Sequence, residues 1–191
     1  LEDNMKYLST VLEKLSNLKS LTLTSLCSYP VNTSRMSISC HGLSSVSPAP
    51  AHLERLELLP WICIFPSLPK WLETLSKLCS LKVAVREFSN SDIDIVKGLP
   101  ALTALSLYVQ AAPAERIFFG KAGFSALKYF TLKCSEPLLK FEAGAMPNLR
   151  KLNLVFNVHE VQHGAAPICI EHLAGLKEIS AKIVGAGATG T

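Results

Sequence analysis

The chain has 191 residues, of which 49% are hydrophobic and 18% charged, a composition too apolar for a disordered protein. Its net charge of +4 is small and its lysines are scattered, which argues against a nucleic-acid-binding surface. No apolar run approaches the roughly 18 residues that a membrane helix needs, so we expect a soluble protein.

One short phrase, L-x-x-L-x-x-L-x-L with apolar substitutes, recurs along nearly the whole chain. The closing L-x-L pairs begin at Leu21, Leu56, Leu81, Leu105, Phe130, Leu152 and Ile179. The intervals between them, 22 to 35 residues, are close to the roughly 20–29-residue period of leucine-rich repeats. Alternation within each pair predicts a strand with one apolar side, and one repeat cannot bury that side alone.

We therefore predict an α/β fold in which residues 1–184 form a leucine-rich-repeat solenoid of about seven irregular repeats. Parallel strands would line its concave side, with short helices or extended segments on the convex side. Residues 185–191, rich in glycine, are predicted to be a flexible tail.

The connecting segments are predicted in chain order. A helix before the first strand follows from apolar residues at helical spacing: Met5, Leu8, Leu12 and Leu15. Ser91 and Asp94 resemble a capping box before a second short helix that contains Ile93, Val96 and Leu99. Elsewhere prolines favour extended or one-turn segments, at Pro66, Pro69, Pro113, Pro137 and Pro147.

The six cysteines show no C-x-x-C spacing: Cys27, Cys40, Cys63, Cys79, Cys134 and Cys169. We predict that all six are reduced, intracellular and mostly structural. A glycosylation sequon at Asn32-Thr33-Ser34 does not by itself indicate secretion.

The residues between the apolar strand positions are predicted to form three rows on the exposed side of the sheet, the third of which reads Thr24, Leu59, Ala84, Tyr108, Lys133, Val155 and Lys182. These rows contain two acids, Glu57 and Glu178, and five basic residues: Arg55, Lys82, Lys133, Lys151 and Lys182. We expect ion pairs between Glu57 and Lys82 and between Lys151 and Glu178. Aromatic and cationic side chains anchor interfaces, so unpaired Lys133 beside two tyrosines marks the contact zone. The candidate partner-binding residues are Arg55, Glu57, Lys82, Tyr108, Tyr129, Lys133, Lys151 and Asn153.

Two catalytic motifs occur in the sequence. His159-Glu160-Val161-Gln162-His163 matches H-E-x-x-H, which needs both histidines on one face of a stable helix. Fewer than two helical turns fit between the preceding strand phrase and Gly164, so we predict a structural role and keep a zinc hydrolase as a remote alternative. Residues 185–190 match G-x-G-x-x-G, but no helix, returning strand or acidic residue follows them. We therefore predict that the protein is not an enzyme and that this chain has no catalytic, metal-binding or cofactor-binding residues.

Three longer sequence phrases indicate which group of leucine-rich-repeat proteins the chain resembles. Residues 68–72, L-P-K-W-L, resemble the L-P-x-W-L phrase of plant nucleotide-binding leucine-rich-repeat immune receptors. Residues 141–149, F-E-A-G-A-M-P-N-L, resemble the F-x-x-G-A-M-P-N-L phrase of the grass members, and residues 164–179 resemble their closing repeat. The resemblance implies the carboxy-terminal repeat region of a coiled-coil-type disease-resistance protein. The start at Leu1, without an initiator methionine or signal peptide, agrees with a fragment of such a receptor.

The resemblance also implies a function. The chain would be a non-catalytic cytoplasmic module that binds a pathogen effector, the receptor's own nucleotide-binding switch, or both. Its partner would be a protein. The chain would bind neither a nucleic acid nor a small-molecule substrate, and it would have no membrane span. ADP or ATP would bind only in the receptor's nucleotide-binding domain, which this chain does not contain. The alternative is the substrate-recognition repeat region of an F-box-type ubiquitin ligase.

Overall fold

A computed structural model describes residues 10–23, 43–58, 63–157 and 167–184. Within these ranges residues 10–14 are helical, α1 spans Asn90–Lys97, and 3₁₀ helices span Lys70–Thr74 and Ile170–His172. The strands are β1 (Ser20–Leu23), β2 (Arg55–Leu58), β3 (Ile64–Phe65), β4 (Ser80–Val85), β5 (Ala104–Val109), β6 (Ile117–Phe119), β7 (Tyr129–Lys133), β8 (Leu139–Phe141), β9 (Lys151–Asn157) and β10 (Glu178–Val184).

The main sheet has the order β1-β2-β4-β5-β7-β9-β10, and every neighbouring pair is parallel. The seven apolar residues that mark the repeats lie opposite one another in a single row: Leu21, Leu56, Leu81, Leu105, Phe130, Leu152 and Ile179. The chain is thus α/β, with a mostly parallel sheet and few helices, as the repeat phrase predicted.

A shared backbone hydrogen bond joins each repeat to the one before it. Two consecutive N–H groups at the start of a strand donate to one carbonyl of the preceding repeat, at 2.7–3.1 Å. Thr103 and Ala104, for example, both donate to the Cys79 carbonyl, and Lys128 and Tyr129 both donate to that of Thr103. The same arrangement recurs at the carbonyls of Lys19, Glu54, Lys128 and Arg150. The repeats therefore stack by one geometry although their connecting segments differ.

The apolar ridge of the interior strands is buried. Five apolar residues of these strands are at most 4% exposed: Leu105, Leu107, Phe130, Leu132 and Leu152. On the last strand, β10, the equivalent apolar residue is not buried: Ile179 is 52% exposed. Burial in this fold comes from a neighbouring repeat on each side, so the outermost strand of the sheet leaves its apolar side chain partly in solvent.

Two of the extended connecting segments pair into a second, short parallel sheet, β6–β8, which Lys140 extends through a bridge to Ile168. Phe119 of β6 stacks on Phe141 of β8 at a centroid distance of 5.3 Å. It also meets Phe130 of the main sheet edge to face at 5.6 Å. Aromatic pairs of this kind add about 0.5–1.5 kcal/mol beyond their burial. The second sheet therefore covers the core side of the main sheet.

The helix predicted from Ile93, Val96 and Leu99 is confirmed as α1 for the first two residues, but Leu99 lies beyond its end and its capping box is not Ser91 with Asp94. Ser89 is the N-cap, with extended backbone, and Asp92 closes the box. Asp94 is exposed and pairs instead with Lys97. The helix predicted before the first strand is confirmed at residues 10–14, where Leu12 is buried, whereas Leu15 is 45% exposed. Met5 and Leu8 lie outside the described residues.

Cys63 corrects the prediction of six reduced cysteines, because it is disulfide-bonded and fully buried. Disulfide formation depends on the distance between two Cβ atoms in the folded chain, which sequence spacing does not report. Cys79, Cys134 and Cys169 are free, as predicted. The sequon at Asn32 and the residues of the predicted tail lie outside the described residues.

Ala84 corrects the third predicted row. That row placed Ala84 on the exposed side beside Leu59, but Ala84 is only 1% exposed. Its partner in the sheet is Ile64 of β3, which pairs with β4 after the chain has left β2. Ala84 keeps the predicted register, opposite Tyr108 of β5, but Ile64 lies opposite it on the other side, a neighbour that the L-x-L phrase does not encode.

Candidate functional site

The candidate site is the side of the main sheet that faces away from the core, here called the open face. Its first row reads Ser20, Arg55, Ser80, Ala104, Tyr129, Lys151 and Glu178. Its second row reads Thr22, Glu57, Lys82, Ser106, Thr131, Asn153 and Ser180. Its third row, in the described residues, reads Ala84, which is buried, and then Tyr108, Lys133, Val155 and Lys182. All eight candidate residues chosen from the sequence therefore lie in these rows and share one face.

Two ion pairs neutralise part of the open face. Lys151 and Glu178 lie on neighbouring strands with Nζ and Oε1 2.6 Å apart, as predicted. Glu57 pairs with Arg55 at 3.7 Å instead of with Lys82. Arg55 and Glu57 are two residues apart on one strand, which puts both side chains on the same side. These groups are substantially exposed to solvent, so each pair contributes at most about 1 kcal/mol.

An aromatic and cationic cluster occupies the middle of the open face. The Lys133 ammonium lies 6.0 Å from the centroid of the Tyr108 ring, on the adjacent strand. Tyr129, four residues before Lys133 on β7, is 51% exposed. Beside them Asn153 donates a hydrogen bond from Nδ2 to the Thr131 hydroxyl at 3.3 Å. We call Tyr108, Tyr129 and Lys133 the aromatic cluster.

A second cation–aromatic pair, which sequence reasoning missed, lies on the other side of the molecule. Lys140 of β8 has its ammonium 5.9 Å from the centroid of Phe118, which is 44% exposed. Phe118 stands between two buried residues of β6, an alternation that could have indicated an exposed aromatic. Beside it, a groove of about 660 Å³ is lined by Asn90, Ser91, Ile93, Asp94, Lys97, Phe118, Gly120, Lys121, Ala122 and Glu142.

The described residues offer no group of three or more His, Cys, Asp or Glu side chains that could hold a metal ion. Burial, with the nearby Glu136 carboxylate, raises the pKa of the Cys134 thiol from 9.0 to about 12. This thiol therefore stays protonated at neutral pH and is a poor nucleophile. The Nδ1 atom of His172 forms a hydrogen bond with the Phe141 carbonyl at 2.8 Å, a contact between repeats. The H-E-x-x-H motif and the G-x-G-x-x-G motif lie outside the described residues.

Among the residues described, no helix is long and apolar enough to cross a membrane. A family model for a leucine-rich repeat region matches residues 2–191. The chain is also 46% identical over 181 residues to the disease resistance protein RGA5 of Oryza sativa subsp. japonica. That alignment covers 94% of this chain and 16% of the rice protein, so the chain spans a minor part of its relative's length. No solved structure matches the chain significantly.

Proposed function

We propose, since the chain belongs to the leucine-rich repeat region family, that it is a non-catalytic protein-recognition module of a plant immune receptor. The similarity to a rice disease resistance protein confirms the resemblance to grass resistance proteins that the three sequence phrases indicated. We further propose that the repeats form a solenoid of about seven turns, with the open face on its concave side. The uniform hydrogen-bonded junctions between repeats support this arrangement.

The observation that carries the proposal is the aromatic cluster on the open face. Tyrosine gives a large contact area at a low cost in conformational entropy, and residues of this kind dominate binding energy at interfaces. The strands beneath the cluster are held by their alternate side chains, which pack in the core. Residues of the cluster can therefore change without disturbing the fold, which suits a surface that recognises a protein.

In this proposal the partner is a pathogen effector, the receptor's own nucleotide-binding switch, or both. The remaining candidate residues, Arg55, Glu57, Lys82, Lys151 and Asn153, would form the rim of the contact. ADP or ATP would act on the switch domain and not on this chain. An F-box-type ubiquitin ligase remains the alternative, and the domain content of the full-length protein distinguishes the two.

The cytoplasm is the location that we propose for the receptor. The disulfide at Cys63 bears on this point, because the cytosol keeps most protein thiols reduced. Alkylation of plant tissue lysed directly into denaturant, which exposes the buried Cys63, followed by mass spectrometry without reduction, measures the state of this residue. An alkylated Cys63 supports the cytoplasm, whereas a persistent disulfide contradicts it.

The proposed function is tested in the full-length receptor that carries this chain. We expect the combined change Tyr108→Ala, Tyr129→Ala and Lys133→Glu to abolish effector-triggered signalling, autoinhibition, or both. The measurements are cell death in leaf tissue, with and without effector, and co-purification of the switch domain. Immunoblots should confirm equal accumulation of each variant.

The structure provides a matched control for this experiment. Phe118→Ala with Lys140→Glu removes a cation–aromatic pair of nearly the same geometry from the other side of the molecule. We expect this control to retain both signalling and autoinhibition. If the open-face variant behaves like the unmodified receptor, the aromatic cluster is not the recognition surface.

A further inference from the structure

We propose that the open face binds an extended acidic segment of its protein partner, with carboxylates at every third residue, laid across the strands. The inference rests on the proposed recognition function and specifies the chemistry of the partner. It starts from the charge of the face, whose described rows carry five basic residues and two acids. A surface with such an excess attracts an anionic partner and orients its approach.

Three of the five basic residues form no ion pair within the part of the chain that the structure describes. Arg55 is held by Glu57, and Lys151 by Glu178. Lys82, Lys133 and Lys182 have no acidic neighbour within 4 Å among the described ion pairs. Their charges are therefore available to a partner.

These three lysines are evenly spaced across the sheet. Lys82 is on β4, Lys133 on β7 and Lys182 on β10, with one strand between each pair of neighbours. Strands lie about 4.8 Å apart, so successive lysines are about 9.6 Å apart across the sheet. Lys133 and Lys182 share the third row through Val155, and Lys82 lies one row away. That offset, about 6.6 Å along the strand, is within the reach of a lysine side chain.

A polyproline II helix has the matching repeat. It rises about 3.1 Å per residue with three residues per turn, so every third side chain points the same way at intervals of about 9.3 Å. Carboxylates at those positions would each meet one lysine. A proline between them would rest on Tyr108, which lies on the strand between Lys82 and Lys133. Aromatic surfaces are the usual platform for such helices.

The test measures binding of fluorescent peptides to the full 191-residue chain by anisotropy. The probe is a peptide of Glu-Pro-Pro triplets, and the comparison peptide has the same composition with all glutamates contiguous. We expect the triplet peptide to bind about tenfold more tightly, with an affinity that falls as salt is raised. Lys133→Glu should remove most of this difference, whereas Lys70→Glu, an equal charge change in an exposed connecting helix, should not.

Equal binding of the two peptides would overturn the inference, since it would indicate attraction by net charge alone. Equal loss of affinity in Lys133→Glu and Lys70→Glu would overturn it as well. So would tighter binding of a short single-stranded oligonucleotide, which would indicate a phosphate-binding surface. The proposed recognition function is judged separately: a face that loses receptor signalling in the triple variant but ignores the triplet peptide recognises a partner of different chemistry.

Discussion

Asp92 accepts a hydrogen bond from the Leu68 backbone N–H at 2.8 Å, across 24 residues of sequence. The other oxygen of the same carboxylate accepts from the Ser89 N–H at 2.8 Å and from the Ser89 hydroxyl at 2.9 Å. Asp92 is only 3% exposed. One buried side chain therefore caps α1 and also ties it to the segment that leads into the previous 3₁₀ helix.

We expect Asp92→Asn to lower the free energy of unfolding by about 1–3 kcal/mol. The amide NH2 group would replace one of the two accepting oxygens, so one backbone N–H would face another donor and lose its hydrogen bond. Urea denaturation measures this change. The control is Asp94→Asn, which removes only a solvent-exposed pair with Lys97 and should cost about 0.5 kcal/mol or less. Equal losses in the two variants would contradict a special role for Asp92.

Leu105→Ala should destabilise the chain by about 2–5 kcal/mol, because Leu105 is 1% exposed in the middle of the apolar ridge. Ile179 occupies the corresponding position on the last strand but is 52% exposed. Ile179→Ala should therefore cost much less, although both changes shorten the same kind of side chain. Thermal unfolding of the two variants measures the difference, and similar melting temperatures would argue against the burial described for the interior strands.

Gly123→Ala should be destabilising for two reasons. Gly123 has a φ of +93°, which is unfavourable for an alanine, and a Cβ atom there would lie 2.8 Å from the Lys97 carbonyl oxygen. We expect a loss of at least about 1–3 kcal/mol in the free energy of unfolding. Gly98→Ala is the matched control, because its Cβ would meet only ordinary contacts at 3.8 Å or more. A neutral Gly123→Ala would show that this junction between α1 and the next repeat can rearrange.

The raised pKa of the buried Cys134 thiol predicts that the folded chain loses stability at alkaline pH. In the unfolded chain the thiol ionises above about pH 9, whereas burial keeps it protonated in the folded chain up to about pH 12. Its contribution to stability is complete below pH 9 and declines as the pH rises towards 12, by up to about 1.4 kcal/mol per pH unit. Unfolding by urea at a series of alkaline pH values should show a shallower decline in Cys134→Ala than in the unmodified chain. The same decline in both proteins would contradict the burial of the Cys134 thiol.

The strands of the main sheet could be predicted because each depends on a local pattern that every repeat shares. Alternation sets the two faces of a strand, and stacking brings equivalent residues into one row. The prediction was wrong at one residue, Ala84, which keeps its register in the sheet but is not exposed. Ala84 is buried because β3 supplies Ile64 as its neighbour, a detail set by the path of the chain after β2.

The capping box shows a second limit of sequence reasoning. Residues 89–94 read S-N-S-D-I-D, so Ser89 with Asp92 and Ser91 with Asp94 fit the same pattern. Local sequence cannot choose between the two boxes. The choice agrees with a tertiary requirement, because the buried Leu68 N–H needs an acceptor and Asp92 supplies it. The candidate site could also be predicted only in part. Alternation placed its residues on one face, but it did not predict that Glu57 would form its ion pair with Arg55 and not with Lys82.

The two alternating sets of strand residues have consequences for how specificity can change. A substitution in a row of the open face alters what the surface offers while the hydrogen-bonded ladder and the leucines underneath remain in place. Inserting one residue within a strand would instead exchange the two sets, sending leucines to water and lysines inward. New binding preferences are therefore reached one exchanged side chain at a time, and changes in chain length are confined to the loops between strands.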